Sequence, residues 1–366
     1  MKNTFGNHLQ ITLFGESHGP YIGAVLDGLA PGIKVDEDYI HHQLSLRRPS
    51  GKISTARVEK DPFQIISGVY QGKTTGTPLT IIIPNKEQKG EDYLTMERIA
   101  RPGHADYTAY CKYHGFEDYH GGGHFSGRIT AALVAAGAIV LTALKEKNIL
   151  IGSHIASLGG IKDREFENEK EDIQSLNQKT FAVLDDTAAE KMMDIALEAA
   201  EQGDSVGGVL ESCILGLEAG LGEPWFDTME GMLAHALFSI PALKGVSFGD
   251  AFSMVDQRGS EYNDAFGIKE GNIVTLTNHN GGINGGITNG MPITFRCAVK
   301  PTPSIYKEQN SVDFINKKEH TLKIEGRHDP AIIHRARVVV DSMAAIVIYD
   351  MMAGRYGTDY FMGENE

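Results

Sequence analysis

Residues 15–30 read GESHGPYIGAVLDGLA, and residues 203–219 read GDSVGGVLESCILGLEA. Each stretch opens on Gly-acid-Ser, runs through mainly apolar residues, and reaches another glycine thirteen positions after the first, at Gly28 and Gly216. Glycines bounding a strand-like run mark turns that need unusual backbone angles. The pair therefore predicts a strand–turn–strand unit used twice, the second copy beginning near residue 203. Duplication and coincidence between two glycine-rich hairpins account for the echo equally well. The copies differ in one chemically important place: the first carries His18 where the second carries Val206. An imidazole found in one copy only is functional cargo that the hairpin does not need in order to fold.

Around the first copy, residues 1–85 read mainly as short strands and turns, as in ITLFGESHG, GAVLDGLAPGI and FQIISGVYQGKTTGTPLTIIIPN. DEDYIHHQLSLRRP interrupts them with helix punctuation, an acidic first turn and a proline after the last arginine. Apolar periodicity predicts further helices over 129–147, 186–201 and 228–240. Between them KDREFENEKEDIQSLNQK is charged and weakly periodic, and reads as an exposed excursion. No interdomain linker appears, so residues 1–366 are expected to form a single domain.

The formal charge of -14 is unevenly spread. Residues 1–130 hold 14 basic and 14 acidic side chains, residues 131–295 hold 10 and 24, and residues 296–366 hold 10 and 10. A chain without a basic face is a poor general nucleic-acid binder. Small anions stay possible where the two neutral segments concentrate arginine. Three widely spaced cysteines, Cys111, Cys213 and Cys297, suggest neither a disulfide framework nor a zinc knuckle and fit a reducing cytoplasm. The apolar run 131–144 is short for a membrane span and rich in alanine, so it reads as a buried helix, and MKNTFGNHLQ has no apolar signal core.

Glycine-rich segments invite nucleotide readings that the spacing rejects. GVYQGKTTG leaves three residues between Gly68 and Gly72 where a P-loop needs four. Gly121-x-Gly123 is followed by Ser126 where a dinucleotide fold needs glycine or alanine, and GGINGGITNG contains no G-x-G. In DYHGGGHFSGR, residues 118–128, His120 and His124 stand four apart, as metal ligands on a helix would, but three glycines between them make that helix improbable. The better reading is an anion site: glycines bring main-chain N–H groups to a helix starting near Ser126, and Arg128 adds a charged donor. Other clusters point to a similar ligand: Arg47, Arg48 and Lys52 in LRRPSGK; Arg101 and His104 in RPGHADY; Lys300, Thr302 and Ser304 in VKPTPS; Arg327, His328 and Asp329 in GRHDP. Each alone is weak. Together they suggest a ligand with phosphate or carboxylate groups, read by residues from both ends of the chain.

In their order along the chain, FGESHGPYIGAVLDGLAPGI, LRRPS, SGVYQGKTTGTP, RPGHADYTAYCKY, GGGHFSGR, SIPALKG, GGINGGITNG, VKPTPS and GRHDP resemble the chorismate synthase family over nearly the whole length. The resemblance implies an α+β fold with a helical layer between two antiparallel sheets, assembled as a homotetramer. It implies loss of phosphate from 5-enolpyruvylshikimate 3-phosphate by 1,4-anti elimination, giving chorismate and requiring reduced FMN without net redox change. Carried over position by position, the flavin site takes in His124, Phe125, Ser126, Ala242, Gly285, Lys300, Pro301, Thr302, Pro303, Ser304 and Arg327; Arg47, Arg48, Lys52 and Arg128 engage the substrate's anionic groups. The family often has arginine where this chain has His120 and His124, and serine where it has Phe125.

The implied chemistry needs a proton donor at the leaving phosphate and a proton acceptor for hydrogen leaving C6. His18 is the candidate general acid, since imidazole titrates near neutrality. His104 is expected to steer the flavin's protonation state, and Asp329 to act as base, directly or through flavin N5. Asp329 also reads as a helix N-cap in HDPAIIHRAR, with Pro330 at the first helical position. A conventional flavin oxidoreductase and a non-enzymatic anion-binding protein are the rivals. No nicotinamide fingerprint is present, so reduction of the flavin by this chain with NADPH and by a separate flavin reductase both stay open.

Overall fold

Two five-stranded antiparallel sheets carry the helices, and the computed structural model describes residues 2–49, 53, 61–85, 98–324 and 328–363. The first sheet contains β1 (Thr4–Phe5), β2 (Gln10–Gly15), β3 (Tyr21–Asp27), β4 (Gln64–Ser67) and β7 (Leu79–Pro84) in the order β1-β2-β3-β7-β4. A small hairpin of β5 (Val69–Tyr70) and β6 (Lys73–Thr74) spans the P-loop-like segment. The second sheet holds β8 (Leu150–Leu158), β9 (Ile161–Lys162), β10 (Gly208–Leu215), β11 (Leu243–Phe248) and β16 (Ile293–Val299), ordered β11-β16-β10-β8-β9. Three further two-stranded ribbons are β12 (Phe266–Lys269) with β13 (Asn272–Thr275), β14 (Ile283–Asn284) with β15 (Ile287–Thr288), and β17 (Gln309–Asp313) with β18 (Lys318–Leu322).

The helices are α1 (Glu37–Arg47), α2 (Asp106–Tyr113), α3 (Thr130–Glu146), α4 (Glu169–Leu176), α5 (Asp186–Glu201), α6 (Met229–Leu237), the single turn α7 (Gly259–Tyr262) and α8 (Ile333–Tyr356). The class is α+β. Residues 127–146 are long and apolar enough to cross a membrane, yet α3 is buried: it packs on β3 and β7 of the first sheet, on β8 of the second, and on α8. A Cβ at Gly137 would stand 2.3 Å from Ser342 Cβ, so that glycine lets α3 and α8 approach closely. Asp36 caps α1 by accepting from Tyr39 N at 3.0 Å, as the acidic start of that helix suggests.

Read from the strand beside each outer edge inward, the sheets run β2-β3-β7-β4 and β8-β10-β16-β11, and each is interleaved with helices in the same chain order, α1 then α3 and α6 then α8. The echoing glycines occupy equivalent places. A Cβ on Gly28 would lie 1.9 Å from His8 O, just ahead of β2, and one on Gly216 would lie 2.3 Å from Asn148 O, just ahead of β8. The segments in front of the shared strand differ: β2 leads into β3 through a tight turn, whereas Gly203 follows α5.

Two local expectations need correction. Residues 162–179 are no exposed excursion throughout, since they contain α4, whose Ile173 and Leu176 are buried on the second sheet. Gly152 of β8 makes room for it, because a Cβ there would stand 2.9 Å from Ile173 Cγ2. Asp329 is not an N-cap: α8 starts at Ile333, and the Asp329 carboxylate instead accepts from Arg335 Nη1. A charged partner in the first turn of α8 outcompetes backbone N–H groups for the carboxylate.

Candidate active site

The loops before α2 and after β16 are fastened to each other. Lys300 Nζ donates to Gly103 O at 2.6 Å, and His104 Nε2 lies 2.8 Å from Ser304 Oγ. Gly103 has φ 74°, and a Cβ there would stand 2.7 Å from Pro303 Cβ, so glycine permits the close approach. Arg101 closes its own loop through a fork onto Asp106, at 2.8 Å from Nε and 2.7 Å from Nη2. These loops, together with parts of residues 117–127, Arg47, Ala242 and Arg335, line a cavity of about 1030 Å³. That is the upper end of small-molecule sites and leaves room for two ligands side by side. Leu133, Leu243, Val339 and Met343 give part of the wall an apolar surface.

The glycine run of residues 121–123 is explained by what it packs against. All three residues have positive φ, 61°, 101° and 51°, which breaks any helix between His120 and His124. A Cβ on Gly121 would stand 2.0 Å from His18 Cε1, and one on Gly123 would stand 2.1 Å from Asp118 O. The glycines therefore seat an imidazole and a main-chain crossing. Ser17 N donates to Gly123 O at 3.1 Å, joining the two loops. His120 pairs with Asp118, Nδ1 to Oδ1 at 2.6 Å, and His124 Nδ1 is 2.8 Å from Gly15 O. Among the described residues no group of three or more His, Cys, Asp or Glu could hold a metal ion.

Ser17 Oγ donates to His120 O at 3.1 Å and lies 3.0 Å from His18 Nδ1, an arrangement in which that ring nitrogen carries the proton. For His104, burial, reinforced by Arg101 and Lys300, pushes the pKa down to about 4. At neutral pH it is a neutral imidazole in the cavity wall. Burial also lowers the pKa of His328.

The arginines converge on a residue that the sequence did not single out. Asp61 Oδ1 accepts from Arg128 Nη1, and Asp61 Oδ2 stands 3.7 Å from both Arg47 Nη2 and Arg48 Nε. Arg128 Nε also donates to Asn85 Oδ1 at 3.0 Å. Arg47 lines the cavity, whereas Arg48, Arg128 and Asp61 lie outside its lining. Arg335, also missed, lines the cavity, pairs with Asp329 and donates from Nε to Arg47 O at 2.8 Å. Its signal was a charge in the first turn of the helix that follows GRHDP.

The expected flavin residues divide. His124, Phe125, Ser126, Ala242, Lys300, Thr302 and Pro303 line the cavity. Ala242 does so with φ 72°, and its carbonyl accepts from Lys300 N at 3.0 Å. Thr302 Oγ1 is a buried atom with no hydrogen-bond partner among the described residues. Ser304 sits behind His104, Pro301 packs near Gly207, and Gly285 lies in the exposed turn of β14–β15, away from the lining. His18 and Asp329 stand just behind the wall, against Gly121 and Arg335, which line it. Lys52 and Arg327 lie outside the described residues.

The family model described as chorismate synthase matches residues 9–353. The chain is 45% identical over 352 residues to a chorismate synthase of Dehalococcoides mccartyi, covering 96% of each, and 43% identical over 350 residues to one of Pyrococcus abyssi, covering 96% of this chain and 97% of the other. A crystal structure of a chorismate synthase superposes with a TM-score of 0.77 at 30% identity, covering 96% of this chain and 94% of that one. With family motifs, length and backbone in agreement, the chain belongs to the chorismate synthase family.

Proposed function

We propose that the family's reaction, 1,4-anti elimination of phosphate from 5-enolpyruvylshikimate 3-phosphate to give chorismate, runs in the cavity between the 101–106 and 300–304 loops. The observation that carries this is the convergence on one cavity of Arg47, His104, residues 121–127, Ala242, Lys300 and Arg335, drawn from both ends of the chain. The reaction requires reduced FMN, which when bound supplies electron density to the allylic system as the C–O bond breaks. The lining suits that cofactor: apolar side chains for a planar ring, and Lys300 with the unpartnered Thr302 hydroxyl for polar or anionic groups.

His18 donates a proton from Nε2 to the leaving phosphate and remains as the Nδ1-protonated tautomer that Ser17 already holds. His104, neutral and fixed by Ser304, offers one hydrogen bond to the ligand beside it. Asp329 accepts the C6 proton, its carboxylate oriented by Arg335. Arg47 and Arg335 meet the substrate's anionic groups at the wall, with Arg48 and Arg128 behind them. An anaerobic assay with dithionite-reduced FMN and the enolpyruvyl substrate tests the reading. Chorismate formed without net oxidation of the flavin supports it, and turnover that oxidises one reduced flavin per product favours the oxidoreductase.

The two halves of the chain are copies of one unit, and the helices form a layer between its two sheets. The matched strand orders, the equivalent Gly28 and Gly216, and the contacts of α3 with both sheets support this. The protein works in the cytoplasm as a homotetramer. Phe266 and Ile268 of β12 and Ile273 of β13 share one face of a two-stranded ribbon and are 67%, 81% and 74% exposed, an apolar face that a second copy would cover.

A further inference from the structure

We propose that Asp61 is a positioning residue for the substrate's anion site: its carboxylate gathers Arg47, Arg48 and Arg128 and holds Arg47 against the cavity. The inference rests on the assignment of that cavity to the substrate. The Asp61 side chain is wholly buried, and of the four residues Arg47 alone lines the cavity. Asp61 therefore stands behind Arg47, where no substrate group needs to reach it. Three guanidiniums drawn to one point repel each other, and a carboxylate at that point offsets the repulsion. The 3.7 Å separations from Arg47 and Arg48 exceed charge-assisted hydrogen-bond lengths, so the hold on these two is by charge.

The backbone carries a second, independent sign. Asp61 has φ 40°, a left-handed conformation that persists in a non-glycine residue where the surroundings over-determine it. The cluster is also tied to both proton-transfer candidates. Arg128 Nε donates to Asn85, whose side-chain amide donates to Glu16 O at 3.0 Å and Gly19 O at 2.7 Å, bracketing His18. Arg47 O accepts from Arg335, the partner of Asp329. Asp61 is the node at which anion binding and acid–base geometry share a scaffold.

The test is Asp61→Asn in the full chain, assayed anaerobically with reduced FMN. KM for the enolpyruvyl substrate rises roughly tenfold, kcat falls by less, and FMN affinity without substrate stays within about twofold, because binding in ground and transition state is lost together. Asp61→Glu, which keeps the charge, recovers part of the KM. An unchanged KM makes Asp61 merely structural, and a lowered KM makes it a competitor of the substrate; either overturns the proposal. Should Asp61→Asn fail to fold, Asp61→Asn/Arg128→Gln removes one cation with the anion. Its KM must exceed that of Arg128→Gln alone, and equality overturns the proposal. Absence of chorismate from the parent chain would instead refute the assignment of the cavity.

Discussion

Gly121→Ala is the most exacting perturbation of the proposed general acid, because it adds one methyl and leaves His18 chemically intact. That methyl would stand 2.0 Å from His18 Cε1, 2.4 Å from Nδ1 and 3.2 Å from Nε2. Carbon atoms settle at about 3.5–4.0 Å, so the imidazole or the loop must move by about 1.5 Å. A misplacement of about 1 Å at reacting groups costs on the order of a hundredfold, and turnover should fall at least that far. The backbone cost is separate: alanine at φ 61° loses about 1–2 kcal/mol of stability. Gly72→Ala supplies the control, since Gly72 has φ 74°, nothing within 4 Å of its Cβ position, and no place in the cavity. It should show a similar loss in melting temperature with turnover preserved. In His18→Ala the added methyl meets no imidazole, so Gly121→Ala should cost turnover little further. Near-parental turnover for Gly121→Ala, or costs that simply multiply in the double variant, would refute the assignment of His18.

Three further outcomes are expected. Asp329→Asn should lower anaerobic turnover by roughly two to four orders of magnitude; because Asp329 pairs with Arg335 instead of capping α8, it should also cost about 1–3 kcal/mol in a denaturation titration. Burial, with Arg335 nearby, pushes the His334 pKa down to about 4, below its ordinary value of 6.5. The unfolded chain thus binds the proton first, and stability contributed by neutral His334 is present above about pH 6.5 and declines toward pH 4. Melting curves between pH 6.5 and 5, above most carboxylate titrations, should show the decline, and His334→Gln should make it shallower, the remaining slope belonging to His104 and His328, whose pKa values burial also lowers. If the ribbon holds the proposed tetramer together, charge placed on it by Ile268→Asp should shift the species seen by light scattering to smaller forms than the parent chain gives while the monomer fold survives; an unshifted mass would clear this ribbon of a role in assembly.

Much of the fold was legible because its signals are local. The all-round apolar run of α3 has only one suitable place, the core, and the acidic start and terminal proline around α1 bound that helix directly. The failures arise where a residue's partner is distant. In α4, Glu169, Glu171 and Asp172 conceal a two-residue apolar stripe, Ile173 and Leu176, whose value depends on the space left by Gly152 in another element. The i, i+3 spacing of that stripe behind an acidic first turn was the available signal.

The site divides along the same line, and the division has a physical reason. His18, His104, Lys300 and the glycine turn are recognisable from residue type and immediate neighbours, because each must present a particular group from a loop. Asp61 lies 67 residues from Arg128, and its importance comes from being the buried carboxylate at which three guanidiniums meet. Nothing in its flanking sequence expresses that. The expectation that Arg47, Arg48 and Arg128 act alike follows from counting cations, but cations held this close need a compensating charge before any substrate arrives. A cluster of arginines in a sequence therefore implies an acidic residue elsewhere in the chain. Among the described residues one such partner is Asp61, and of the three arginines it faces, Arg47 lines the cavity.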